Sequence, residues 1–173
     1  MAAVEVALRT LLVVVFGVAF VSKVRSRAAF GEFAASLDDM GWLRGPWRTA
    51  VAVCVPAAEL AVVALLALPW AVGAGFAAGA GLLLAFTVVT GRELARGHRV
   101  RCRCFGAGDA RIGPAQIARN VVLLGAAAAG LTIEPVSHGG AGGGGLALGL
   151  GLALLAALAL VRWDDLAYLV RAS

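Results

Sequence analysis

Thr49-Ala-Val-Ala-Val-Cys-Val-Pro-Ala-Ala-Glu-Leu-Ala-Val-Val-Ala-Leu-Leu-Ala-Leu68 runs for twenty residues with a single charge, Glu59. A helix of that length spans about 30 Å, the thickness of a bilayer's hydrocarbon core. The run shows no apolar–polar alternation of the kind a barrel strand needs, so a helix is the conformation that satisfies its backbone in lipid. Comparable runs occur at Val4 to Val21, Ala71 to Thr90, Ile117 to Ile133 and roughly Gly143 to Val161. The chain therefore reads as an all-α integral membrane protein. Residues 1–133 form a four-helix transmembrane bundle, 134–145 a glycine-rich connector, and 146–173 a fifth, C-terminal hydrophobic helix with a short tail. That last segment either spans or lies along the interface.

Composition agrees with this reading. The 173 residues are 61% hydrophobic and 14% charged, with mean hydropathy +0.92, too few polar groups to cover a soluble fold. The net charge of +5 is not a nucleic-acid footprint, which would be a basic stripe on a soluble domain. Its residues fall between the spans. Lys23, Arg25, Arg27, Arg44 and Arg48 lie in the first connection; Arg92, Arg96, Arg99, Arg101, Arg103 and Arg111 in or beside the third; Arg162 and Arg171 follow the last run. These are thirteen of the fifteen basic residues. The positive-inside rule then predicts a multi-pass cell-membrane protein with these segments cytoplasmic and the N-terminus outside. Trp42, Trp47, Trp70 and Trp163 fall at span ends or in the first connection, as an aromatic belt requires. The first run reads as a retained anchor, since no small-x-small cleavage site precedes Ser22-Lys23-Val24-Arg25. Within it Glu5 and Arg9, at i and i+4, are expected to pair. Gly75 and Gly79, and again Gly145 and Gly149, have the spacing that lets helices approach closely.

Three cysteines carry the candidate chemistry. Cys102 and Cys104 lie one residue apart in Arg99-Val-Arg-Cys-Arg-Cys-Phe-Gly106, between the third and fourth runs. Thiols so spaced close a small, strained disulfide of the exchangeable kind, and the interleaved arginines favour the nucleophilic thiolate. The competing reading is of two adjacent cysteines in a loop whose charge serves topology alone. A metal site is a third option, with His98, Cys102, Cys104 and conceivably Cys54 as ligands, but the arginines repel a cation and no paired zinc-type spacing exists. In the second run Cys54 is expected about 8 Å below the cytoplasmic interface and Glu59 about 15 Å below, near the midplane. Cys54 is thereby a possible third thiol. A carboxylate inside the membrane is a functional candidate by default. Pro56, three residues earlier, stands ready to kink the helix. Arg119 and Asn120 open the fourth run and Lys23 closes the first, which makes Arg119 and Lys23 the expected partners of Glu59 or of a thiolate. A structural ion pair is the plainer alternative.

Taken together, Phe20-Val-Ser-Lys23, Pro56-Ala-Ala-Glu-Leu60, Cys102-Arg-Cys-Phe-Gly106 and Arg119-Asn120 resemble the methylamine utilisation protein MauE family, within the wider DoxX-like group of small four-helix membrane proteins. The resemblance covers about residues 4–133. It implies a membrane accessory for maturing the disulfide-rich small subunit of methylamine dehydrogenase, acting with a thioredoxin-like partner on a disulfide-containing client. By motif match Cys102 and Cys104 inherit the redox role, and Lys23, Glu59, Arg119 and Asn120 match supporting positions. The arginine count gathers all the thiols at one face. Electron relay across the bilayer would then need a quinone-like carrier or a partner. Three functions follow: a thiol–disulfide oxidoreductase or its accessory, a non-enzymatic assembly or transport factor, and a proton or small-molecule path centred on Glu59. No phosphate loop, dinucleotide fingerprint, H-E-x-x-H or catalytic triad is present.

Overall fold

A computed structural model describes residues 2–38, 45–96, 114–133 and 143–161. Among the described residues six helices follow one another: α1 (Ala2–Val24), α2 (Arg27–Asp38), α3 (Pro46–Ala67), α4 (Val72–Ala95), α5 (Pro114–Ile133) and α6 (Gly143–Val161). Helices α1, α3, α4 and α5 are long and apolar enough to cross a membrane, so the chain is a multi-pass helical membrane protein. Large apolar side chains including Val53, Leu60, Leu84, Val88, Val121 and Val122 point outward, which is the surface lipid requires. Trp47, 73% exposed, and Trp70, 81% exposed, mark the two ends of α3. Trp42 and Trp163 lie outside the described residues.

Helix α1 is the central stave. It packs chiefly against α6 and α3, and more lightly against α5, α2 and α4. Its Leu12, Val15, Phe16 and Ala19, together with Val62, Leu66, Phe76, Leu83, Leu123 and Ala127, are buried in the bundle. Small residues set the spacing. A Cβ on Gly75 would stand 2.8 Å from Leu66, and one on Gly79 would stand 3.4 Å from Phe16 and Val62, so this Gly-x-x-x-Gly pair serves packing inside the bundle. Gly130, which no motif singles out, is the tightest of these contacts: its Cβ would fall 2.3 Å from the Phe76 ring.

Two connections have local causes. Gly45 holds φ at 62°, a conformation that glycine adopts without steric penalty, and Pro46 then opens α3 where its missing N–H is harmless. At the other end of α3, Arg9 of α1 donates from Nη2 to the Ala67 carbonyl at 2.9 Å and from Nε to the Leu66 carbonyl. These are helix-terminal carbonyls without an intrahelical donor. Arg9 thus caps α3 instead of pairing with Glu5, because the end of a helix offers a guanidinium two converging acceptors where Glu5 offers a partly exposed ion pair worth little.

Helix α2 is a departure from the sequence reading, which treats 22–48 as a connection. Ser26 caps it, its Oγ accepting the Ala29 N–H at 3.0 Å. Phe33 and Leu37 are buried and Phe30 and Ala34 partly so, a stripe at helical spacing. They pack with Ala52, Val51 and Val55 of α3 and Val89 of α4. Arg48 ties the far end of α2, with Nε 3.2 Å from the Ala34 carbonyl and 3.0 Å from Asp38 Oδ1.

Helix α6 is also settled by packing. Its buried residues Gly149, Ala153, Ala157 and Leu160 form one stripe, and its main neighbour is α1. Gly149 lies against Ala3 and Ala7, at the very start of α1. A helix that meets α1 there and stays against it over its remaining turns must run in the same direction. It therefore lies alongside a span, with Leu152, Leu155 and Leu158 facing outward.

Candidate functional site

The polar chemistry gathers at the end of the bundle where α1 and α4 finish and α3 and α5 begin. Lys23 is in the last turn of α1, favourable for a cation near a helix C-terminus, yet it is only 1% exposed. Its Nζ lies 2.7 Å from Glu59 Oε1, donates to the Ala19 carbonyl at 3.2 Å, and stands 5.3 Å from the centroid of the Phe33 ring. A carboxylate, a carbonyl and an aromatic face thus replace the water that an ammonium loses on burial. Helix α2 supplies the aromatic face, so the element missing from the sequence reading is the one that covers the ion pair.

Glu59 is 0% exposed. Oε1 is held by Lys23, whereas Oε2 has no hydrogen-bond donor among the described residues. Of the two basic residues expected beside Glu59, Lys23 is the one that binds it. Because Nζ reaches back to Ala19, the Glu59 carboxylate is level with Ala19, about 8 Å from the end of α1. The first turns of α3 extend past the end of α1 and are packed by α2.

Helix α5 opens with three buried polar residues, Gln116, Arg119 and Asn120, at spacings of three and four that put them on one face. Asn120 Oδ1 is buried without a donor among the described residues. Thr90 and Glu93 are buried near the end of α4, and Arg96 Nη1 lies 3.4 Å from Glu93 Oε1. The sequence reading did not single out Thr90, Glu93 or Gln116. Their signal was there as polar residues at helical spacing on the inward side of otherwise apolar spans. Which side is inward becomes visible only once neighbours are known.

Cys54 is a free thiol on the exposed face of α3. Pro56 and Glu59 are buried on the opposite side, so Cys54 does not face the ion pair, and the helix continues through Pro56. Cys102, Cys104 and His98 lie outside the described residues; they belong to the segment that joins α4 to α5.

Fold and site together define a small multi-pass helical membrane protein with a buried lysine–glutamate pair and several further buried polar residues at one end of its bundle. The chain belongs to the methylamine utilisation protein MauE family, whose model matches residues 1–133. That match ends with α5; α6 and the glycine tract before it lie outside the matched residues. No curated protein and no solved structure matches the chain.

Proposed function

We propose that this member of the methylamine utilisation family is the membrane component of a thiol–disulfide exchange system. Cys102 and Cys104 are its exchanging pair, and it matures a disulfide-containing client together with a thioredoxin-like protein. The observation that carries this reading is the convergence of buried charge, Lys23, Glu59, Glu93 and Arg119, at the end of the bundle from which the C-x-C segment leaves α4 and re-enters α5.

The chemistry is two successive exchanges. The thiolate of one loop cysteine attacks a partner disulfide, forming a mixed disulfide and releasing one partner thiolate. The other loop cysteine then attacks the mixed disulfide, leaving a Cys102–Cys104 disulfide and a partner dithiol, with two electrons passed to the partner. Run backwards, the same steps oxidise the partner. A quinone-like carrier that re-oxidises or reduces the pair would complete a cycle.

Replacing Cys102 or Cys104 by Ser is expected to abolish client maturation in cells. One of the two single variants should accumulate a mixed disulfide with its partner, seen as a reducible band on a non-reducing gel. Full activity in both serine variants would rule the reading out. Glu59 favours a second reading, a proton or small-molecule path, because it is fully buried with Oε2 lacking a donor among the described residues. Under that reading Glu59→Gln abolishes function while the cysteine variants remain active.

A further inference from the structure

The last turns of α4 form a feature apart from the Lys23–Glu59 pair. Val89, Arg92, Glu93 and Arg96 line a cleft of about 240 Å³. Arg92 and Arg96, four residues apart, share one face of the helix, and both are exposed. Arg96 spends one donor on Glu93 at 3.4 Å, out of the five a guanidinium carries. The Arg92 guanidinium makes no hydrogen bond or ion pair among the described residues. Glu93 is 1% exposed. Val89, nearly one turn deeper, packs against the cluster of Phe33, Leu37 and Ala52, so the inner wall of the cleft is apolar. Helix α4 is long and apolar enough to span, and its final turns emerge where lipid headgroups lie.

Among the described residues that line it, two guanidinium groups and one carboxylate carry one net positive charge. That matches a phosphodiester, which carries one negative charge, and planar guanidinium groups bind phosphate oxygens in a bidentate manner. We propose that this cleft binds the head of an anionic phospholipid, with Arg92 and Arg96 on the phosphate and Val89 against the glycerol and upper acyl chain. The site is independent of the thiol chemistry: its described lining residues all belong to α4, and none is a cysteine.

The test uses the full-length protein, purified in non-ionic detergent and titrated with dioleoyl phosphatidylglycerol or dioleoyl phosphatidylcholine, with bound lipid counted by native mass spectrometry. The expected result is one phosphatidylglycerol held in preference to phosphatidylcholine. Each arginine should be worth about fivefold in affinity, so R92Q/R96Q should bind about twenty-five-fold more weakly. R25Q/R27Q, which removes exposed arginines outside the cleft, should bind as the wild type does. The single variant R92Q removes a side chain with no internal partner among the described residues, so its fivefold loss reads the site and not the fold. Equal binding of the two lipids, an unchanged R92Q/R96Q, or equal losses in both double variants would each overturn the proposal. Displacement of phosphatidylglycerol by millimolar inorganic phosphate would assign the cleft to free phosphate and overturn the lipid reading.

Discussion

Lys23 and Glu59 show how much a single residue pair can decide. Each alone is a charge in a region where charges are expensive; together, at 2.7 Å and with both side chains buried, they join α1 to α3. Breaking a buried pair by removing one partner is destabilising by about 3–5 kcal/mol, whereas replacing both with apolar groups is often close to neutral. Lys23→Met is therefore expected to lower stability by about that amount, and K23M/E59L to recover most of it. Thermal unfolding in detergent, followed by circular dichroism, checks this. Equal losses in the single and double variants would show that the pair does not act as a unit. Both positions were visible as polar residues at suspicious places in apolar runs. What was not visible is that Lys23 rather than Arg119 takes Glu59, since this depends on the rotation of α1 and α5 about their own axes.

At the scale of elements, helix contacts set by glycine and helix ends set by capping make separate predictions. Gly130→Ala puts a methyl group into the Phe76 ring, an overpacking that costs about 1–3 kcal/mol. Gly17→Ala meets nothing within 4 Å and should be neutral or slightly stabilising, because alanine is the better helix former. Comparing their unfolding midpoints separates packing from propensity. For α2, Ser26→Ala removes the cap on Ala29 and should destabilise the helix by about 1 kcal/mol. Hydrogen exchange should then rise across 27–38 and leave α5 unchanged; a uniform rise would mean that α2 is not a separate unit. The four spanning helices were legible because hydrocarbon imposes a length and forbids unpaired backbone. Helix α2 was not, since twelve amphipathic residues do not form a transmembrane signature and the arginines around them read as a connection. The Arg9 cap was hidden for a related reason: a local i,i+4 partner is apparent in sequence, and a carbonyl fifty-seven residues away is not.

For the whole molecule, the arrangement of charge and the course of α6 yield a single expected topology. A five-span reading puts thirteen of the fifteen basic residues on one side, and α6, running parallel to α1, finishes at the end of the bundle where α1 finishes. A membrane-impermeant maleimide should leave Cys102 and Cys104 unlabelled in intact cells and label them after permeabilisation. A reporter fused after Ser173 should be found on the same side as those cysteines. Labelling in intact cells would invert the orientation, and a reporter on the opposite face would mean that α6 does not cross.

The sequence by itself determined that this is an all-helical membrane protein, where its spans lie, and its membership of the MauE family, because hydrophobic length and short motifs are properties of contiguous residues. The tertiary structure decided which buried polar groups meet, the level of Glu59 along α1, the outward turn of Cys54, the cover that α2 lays over the ion pair, and the direction of α6. All of these depend on the rotation and offset of one helix against another. Side-chain packing fixes those quantities across long separations in the chain, and no local pattern records them.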